Sequence, residues 1–191
     1  MLTVGVDSAG VESDLVDGRL ACPDCGGVLW PWGWARRRVL RDGWSLVVVR
    51  PRRARCSACG VSHVLLPVFA LARRADLVEV IGAALVAKAA GMGARVIGAL
   101  LRRPPDTVRG WLRRFSARAS AVREYFTALL VDIGVDPVPP AASGSGFGDA
   151  VASVLAARTS AASRWPGVGE VSPWRIAAAV SNGRLLLPSW P

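Results

Sequence analysis

The chain has 191 residues, enough for one or two compact domains. Hydrophobic residues make up 52% and charged residues 20%, which supports a sizeable core and excludes wholesale disorder. The single histidine, His63, excludes a multi-histidine metalloenzyme or a histidine dyad, and four cysteines are too few for a disulfide-dense secreted scaffold.

The formal charge is +10, from 24 basic and 14 acidic residues. Its distribution says more than its sum. Residues 22–123 alone carry +14, while residues 124–191 are close to neutral. A composition bias toward arginine codons explains Arg over Lys (Lys88 is the one lysine) but not this clustering. A polyanion partner for the middle of the chain follows.

Residues 1–20 form an acidic N-terminal segment with Asp7, Glu12, Asp14 and Asp17. It has neither the basic start nor the apolar run of a signal peptide. The most apolar stretch, residues 77–90, is broken by Glu79 and Lys88 and is too short for a membrane span. A cytoplasmic, nucleoid-associated protein with no membrane partner is expected, and in that compartment paired cysteines more often hold metal than form disulfides.

Residues 21–70 carry two CxxC-G knuckles, Cys22-Pro-Asp-Cys25-Gly and Cys56-Ser-Ala-Cys59-Gly. Each turn points two thiolates to one side, and together they close a tetrahedral four-sulfur site with no open position. One structural Zn2+ per chain, held by Cys22, Cys25, Cys56 and Cys59, is the expected cofactor; His63 is read as a hydrogen-bonded strand residue. A redox CxxC pair is the alternative, but no βαβ pattern surrounds it. Between the knuckles, residues 28–39 place Trp30, Trp32 and Trp34 at period two, on one strand face, where they are expected to cover the ribbon core or dock it on the next domain; stacking on bases is the other option. Asp42-Gly43 signals a hairpin turn before a β-branched run at residues 44–50, and residues 61–68 give a further strand. The whole reads as a zinc ribbon. Arg36, Arg37, Arg38 and Arg41, then Arg50, Arg52, Arg53 and Arg55, flank its strands. Of these, Arg36, Arg37, Arg38, Arg52, Arg53 and Arg55, with Arg102 and Arg103 further on, are candidate phosphate contacts.

Residues 75–131 read as helical. Asp76 with Glu79 resembles a capping box, and Leu77, Val80, Ile81, Ala84 and Leu85 form an apolar stripe ended by Gly91-Met92-Gly93. A second helix turns Val96, Ile97, Leu100 and Leu101 inward. After Arg102-Arg103-Pro104-Pro105, a third helix opens with Asp106 as the better N-cap, and Val108, Trp111, Leu112 and Phe115 are its buried set. Two short helices about a tight turn, the second with one narrow apolar stripe, describe a helix-turn-helix. Thr107, Arg109, Arg113 and Arg114 occupy the exposed face and are the candidate base-reading residues; Gly110 among them lets a backbone approach closely.

The motifs CPDCG, RRARCSACG and GARVIGALLRRPPDTVRGWLRRF resemble a family of actinobacterial zinc-ribbon plus helix-turn-helix proteins of unassigned function, often found beside mobile elements. The same order is similar to the N-terminal region of certain insertion-sequence transposases. The resemblance covers residues 20–118. It implies DNA binding near transposon ends or operators, with the four cysteines holding metal and the residue 107–114 face reading bases. Such transposases continue into a large domain with three separated carboxylates; the residues from 119 to 191 are expected to be too few for that fold, and no catalytic residue is assigned.

Residues 116–130 continue helical and could extend the third helix. Residues 132–148 read as a Pro/Gly/Ser linker. Residues 149–191 read as a small helical C-terminal region: a helix over 149–162, and another opened by Ser172-Pro173 and ended by Asn182-Gly183. The fold class is therefore α+β: a small β zinc ribbon, an all-α helix-turn-helix domain and C-terminal helices. The function read from these parts is non-catalytic binding of double-stranded DNA, in transcription regulation or associated with transposition. The alternative is an adaptor that recruits a transposase, recombinase or polymerase. RNA as the ribbon's ligand, and the oligomeric state, stay open.

Overall fold

The computed structural model describes residues 1–190 and is α+β. Strand β1 (Leu2–Val4) and helix α1 (Ser8–Val16) come first, so the acidic N-terminal segment is part of the sheet layer. Asp7 caps α1, its carboxylate accepting from the backbone of Ala9 and Gly10. Strands β2 (Leu29–Trp34), β5 (Arg52–Cys56) and β6 (Ser62–Pro67) complete a four-stranded sheet in the order β1-β6-β5-β2, with β1 parallel to β6 and the other pairs antiparallel. Leu15 of α1 closes a small core against Leu29, Ala54, Cys56 and Leu65. Between β2 and β5, strands β3 (Arg38–Asp42) and β4 (Ser45–Val49) form a separate hairpin around Gly43 and Trp44, as the Asp42-Gly43 signal predicts.

The three tryptophans do not share a face. The β2–β5 register slips between Pro31 and Trp34, where one extra residue sits on β2 and Gly33 takes φ +93°. This bulge turns Trp34 toward the α1 side, beside Glu12 and Arg52, and leaves Trp30 and Trp32 on the opposite side with Arg55. All three are about half exposed, so they neither cover the sheet core nor dock it on another element.

Helix α2 (Val78–Ala89) is the centre of the helical body. It buries Val78, Val80, Ile81, Ala84 and Leu85, more than one stripe, and touches α3 (Ala94–Leu101), α4 (Pro105–Ser116), α6 (Gly146–Arg164) and α7 (Pro173–Val180). Its entry differs from a capping box. Leu77 occupies the cap position with no side-chain bond, Asp76 turns to arginines, and Glu79 pairs with Arg175 of α7.

Helix α3 buries Ile97 and Gly98, while Val96 and Leu100 face solvent, because the short helix meets its neighbours along one line only. Helix α4 starts one residue before the expected cap: Pro104 is N-cap and Pro105 is the first helical residue, where a missing N–H costs nothing. Its Val108, Trp111, Leu112 and Phe115 are buried as the pattern predicts. Helix α5 (Ala119–Ile133) is separate from α4, with Ala117 and Arg118 between them. Helix α6 is capped by Ser145, whose hydroxyl accepts from the Gly148 N–H, and is longer than its apolar pattern indicates. Ser172 caps α7 as read.

One large core runs through α2, α4, α5, α6 and α7 and takes in Leu40 of β3 and Leu66 of β6. The C-terminal segment closes it onto the sheet. Thr3 Oγ1 donates to the Ala178 carbonyl, and the Ala72 N–H donates to the Gly183 carbonyl.

Candidate metal centre and nucleic-acid interface

The two knuckles repeat one local design. Gly26 N–H donates to the Cys22 carbonyl, and Gly60 N–H to the Cys56 carbonyl. Cys22 N–H bonds Gly27 and Cys56 N–H bonds Val61, closing each turn. Gly26 and Gly60 both sit at positive φ, +75° and +72°, which explains glycine after each CxxC. The four sulfurs lie within 4.8 Å of one another. Cys22 and Cys59 are 3.8 Å apart, and Cys25 and Cys56 are 3.5 Å apart. Tetrahedral zinc at about 2.3 Å from each thiolate sets sulfurs about 3.8 Å apart, so the donor set fits one structural zinc. Gly27 is part of the fit: a Cβ there would lie 2.8 Å from Ala58 and 3.0 Å from the Cys56 sulfur.

Electrostatics point the same way. The backbone N–H of Cys59, then that of Ala58, aim at the Cys56 sulfur and pull its thiol down to about 6. Cys59 moves to about 12: the Val61 N–H draws it down, but Cys25, burial, Cys56 and Cys22 outweigh that. Four sulfurs this close cannot all ionise without a cation among them.

His63 stays beside the sulfur set. It is buried, with Nε2 3.3 Å from Cys22 Sγ and 3.9 Å from the Asp24 carboxylate, and Nδ1 2.8 Å from the Met1 amine. Burial, then the amine, hold its pKa below the ordinary value against the pull of Asp24. A neutral ring can hydrogen-bond Cys22 and orient it. Cys22, Asp24 and His63 also make a smaller three-donor cluster.

The arginines divide into committed and open ones. Arg52 makes a bidentate pair with Glu12 and lies over Trp34. Arg38 reaches inward to the carbonyls of Leu71 and Arg74, and burial holds its pKa low. Arg103 is buried and donates to Asp76. These three are placed to hold structure rather than to face phosphate. Arg55 donates to the Gly60 carbonyl and stacks on Trp32 while staying exposed. Arg102 lies over the ring of Trp44. Among the described residues, Arg36, Arg37 and Arg53 are exposed with no ion pair or side-chain hydrogen bond. On α4, Arg113 is equally open, Arg109 pairs with Asp106, Arg114 donates to the Gly110 carbonyl, and Thr107 is half-buried.

Two features escape a sequence reading. Asp76, nearly fully buried, receives Arg41 from β3 and Arg103 from the α3–α4 turn. That carboxylate ties the hairpin to the turn and sets Trp44, 78% exposed, beside Arg102. Arg102 itself adopts φ +54°, a conformation uncommon for a side chain of this size. The only local signal was the density of arginine around the two prolines.

No family model matches this chain, and searches of curated proteins and of solved structures return no match. Among the described residues no helix is long and apolar enough to cross a membrane.

Proposed function

We propose that this chain is a non-catalytic, zinc-stabilised protein that binds double-stranded DNA, with α3 and α4 as a helix-turn-helix and the cysteine sheet as a zinc ribbon. One observation carries the reading. Helix α4 is anchored by Val108, Trp111, Leu112 and Phe115 and turns Arg109 and Arg113 to solvent, next to a hairpin tip held against its N-terminal turn by Asp76. A helix fixed on one face and basic on the other suits a major groove. Arg36, Arg37, Arg53 and Arg102 would neutralise phosphates, and Asp106 would yield Arg109 to a base edge. The setting that fits is transcription regulation or an accessory role in transposition at the nucleoid.

The test is selection from a random duplex pool with the zinc-loaded chain at near-physiological salt. An enriched motif is expected. Arg113→Ala should lose about 1–3 kcal/mol on that motif and relax its preference, whereas Arg37→Gln should weaken all sequences alike and lower the salt slope by about one. Duplex binding with no enriched motif, and equal effects of the two variants, would overturn the reading.

A second reading, a protein-interaction adaptor for a recombinase, transposase or polymerase, has its own observation. Val96 and Leu100 on α3, and Val39, Leu46 and Val48 on the hairpin, are apolar and at least half exposed. Tight binding to such a partner, lost in Val96→Asp, with weak and sequence-blind DNA binding, would favour it.

A further inference from the structure

We propose that the outer face of the β2–β5 pair is a second nucleic-acid site, which takes the unpaired bases of single-stranded DNA on Trp30 and Trp32 and its phosphates on Arg53 and Arg55. The inference does not depend on how α4 is used.

The first observation is exposure. Trp30 and Trp32 are 48% and 52% exposed, although a sheet with so small a core has every reason to bury an indole. The bulge keeps these two on one side while it sends Trp34 to the other. With Pro31, Arg55 and the 56–60 knuckle they line an open cavity of about 550 Å³. Two residues along a strand are separated by roughly 6.6 Å, a spacing that accepts one base between two rings or one base on each.

The second observation is charge. Arg55 sits 4.8 Å from the Trp32 ring centre, so the same face presents a flat π surface and a cation. Arg53, two residues before it on the same strand face, is exposed and has no acidic partner among the described residues. No Asp or Glu occurs anywhere in residues 51–75. A polyanion with planar groups is the complementary ligand, and a duplex keeps those planar groups stacked inside.

The third observation bears against a protein strand as occupant. β2 is an edge strand, the usual place for a partner to add a strand. Pro31 removes a backbone donor and the bulge twists the edge away, two devices that prevent such pairing.

The experiment is fluorescence anisotropy of a labelled oligothymidylate against the zinc-loaded full chain. The paired variant Trp30→Ala/Trp32→Ala should bind at least about tenfold more weakly. Its metal content and far-ultraviolet circular dichroism should match the parent, since both rings are half in water. Trp30→Phe/Trp32→Phe, which keeps a ring at each place, should recover most of the affinity. Trp44→Ala, at the distant hairpin tip, should stay within about twofold of the parent. Duplex binding should be the same in the alanine and phenylalanine pairs as in the parent. The proposal is overturned if the alanine pair binds normally, or if Trp44→Ala loses as much. It is also overturned if an abasic strand of equal length binds as tightly as oligothymidylate, or if a matched RNA strand is preferred. Should the alanine pair lose metal, the phenylalanine pair decides: a loss of affinity with full metal content and both rings present would sink the stacking site.

Discussion

Asp76 holds two guanidinium groups from distant parts of the chain, and one of them, Arg103, is buried with it. Removing one member of a buried pair leaves the other charge without compensation, at about 3–5 kcal/mol. Asp76→Asn is therefore expected to lower stability by an amount near that range, and chemical denaturation at constant m-value would measure it. A loss under about 1 kcal/mol would mean the carboxylate is dispensable. Residue chemistry of this kind divides into legible and illegible parts. The cysteines were legible because metal geometry forces a short repeated spacing. Asp76 was not: its local spacing to Glu79 mimics a capping box, while its partners lie 27 and 35 residues away. Asp149 shows a local effect with a pH signature. The backbone N–H of Ser143, then its hydroxyl, donate to this carboxylate, and with Arg123 they hold its pKa below the ordinary value against burial. A depressed carboxyl stabilises the fold above the unfolded-state pKa and loses that contribution as pH falls through the folded value. The gap in thermal midpoint between the parent and Asp149→Asn should be widest near neutrality and should close on acidification through the carboxylate range. A gap that widens in acid would contradict this assignment.

Among the elements, the two glycines of the α3–turn–α4 segment have opposite roles. At Gly98 a Cβ would meet the Arg103 carbonyl at 2.7 Å and Pro105 Cα at 3.5 Å, both backbone atoms that cannot step aside. Gly98→Ala should force the turn open and destabilise by about 1–3 kcal/mol. At Gly110 a Cβ would meet only the end of the Arg114 side chain, 2.9 Å away, a flexible terminus that can shift at the cost of its bond to the Gly110 carbonyl. Gly110→Ala should raise stability by up to about 1 kcal/mol through helix propensity. If α4 enters a major groove, the same variant should bind duplex DNA more weakly, since the methyl group occupies the face that approaches the bases. Stability raised with affinity unchanged would place Gly110 outside the interface. Helix faces were readable here because a buried stripe of four residues, as on α4, repeats at a fixed period. The β2 pattern failed because a single inserted residue reverses the face of everything after it, and Gly33 does not announce which register the partner strand will take. Val96 and Leu100 failed for a related reason: periodicity marks which residues could face a neighbour, not how wide that neighbour is.

For the whole molecule, the decisive feature is that two cores of unequal size share strand β6. Leu65 belongs to the small sheet core and Leu66, the next residue, to the large helical one. The small core consists of Leu15, Cys22, Leu29, Ala54, Cys56 and Leu65, too little apolar surface to be stable without a staple. Two of its six members are the cysteines expected to bind zinc, so metal binding and folding of that sheet are one equilibrium. The helical core needs no metal: it is built from α2 and the helices around it and holds Phe115, Phe126 and Trp174. Withdrawing zinc with a strong chelator, or replacing Cys25 by Ser, should release backbone protection in β2, β5 and α1 first and leave α2, α5 and α6 protected. Hydrogen exchange resolved by segment would read this directly. The C-terminal closure sets the boundary of the loss, because Thr3 and Ala72 are held by Ala178 and Gly183 of the helical body. Protection at β1 should therefore fall less than at β2, although both are edge strands of one sheet. Uniform loss of protection through both cores would mean the chain unfolds as one cooperative unit, with zinc stabilising the helices as much as the sheet. Unchanged protection everywhere would remove the metal from the account of this fold and leave the four cysteines as free thiols, two buried and two exposed.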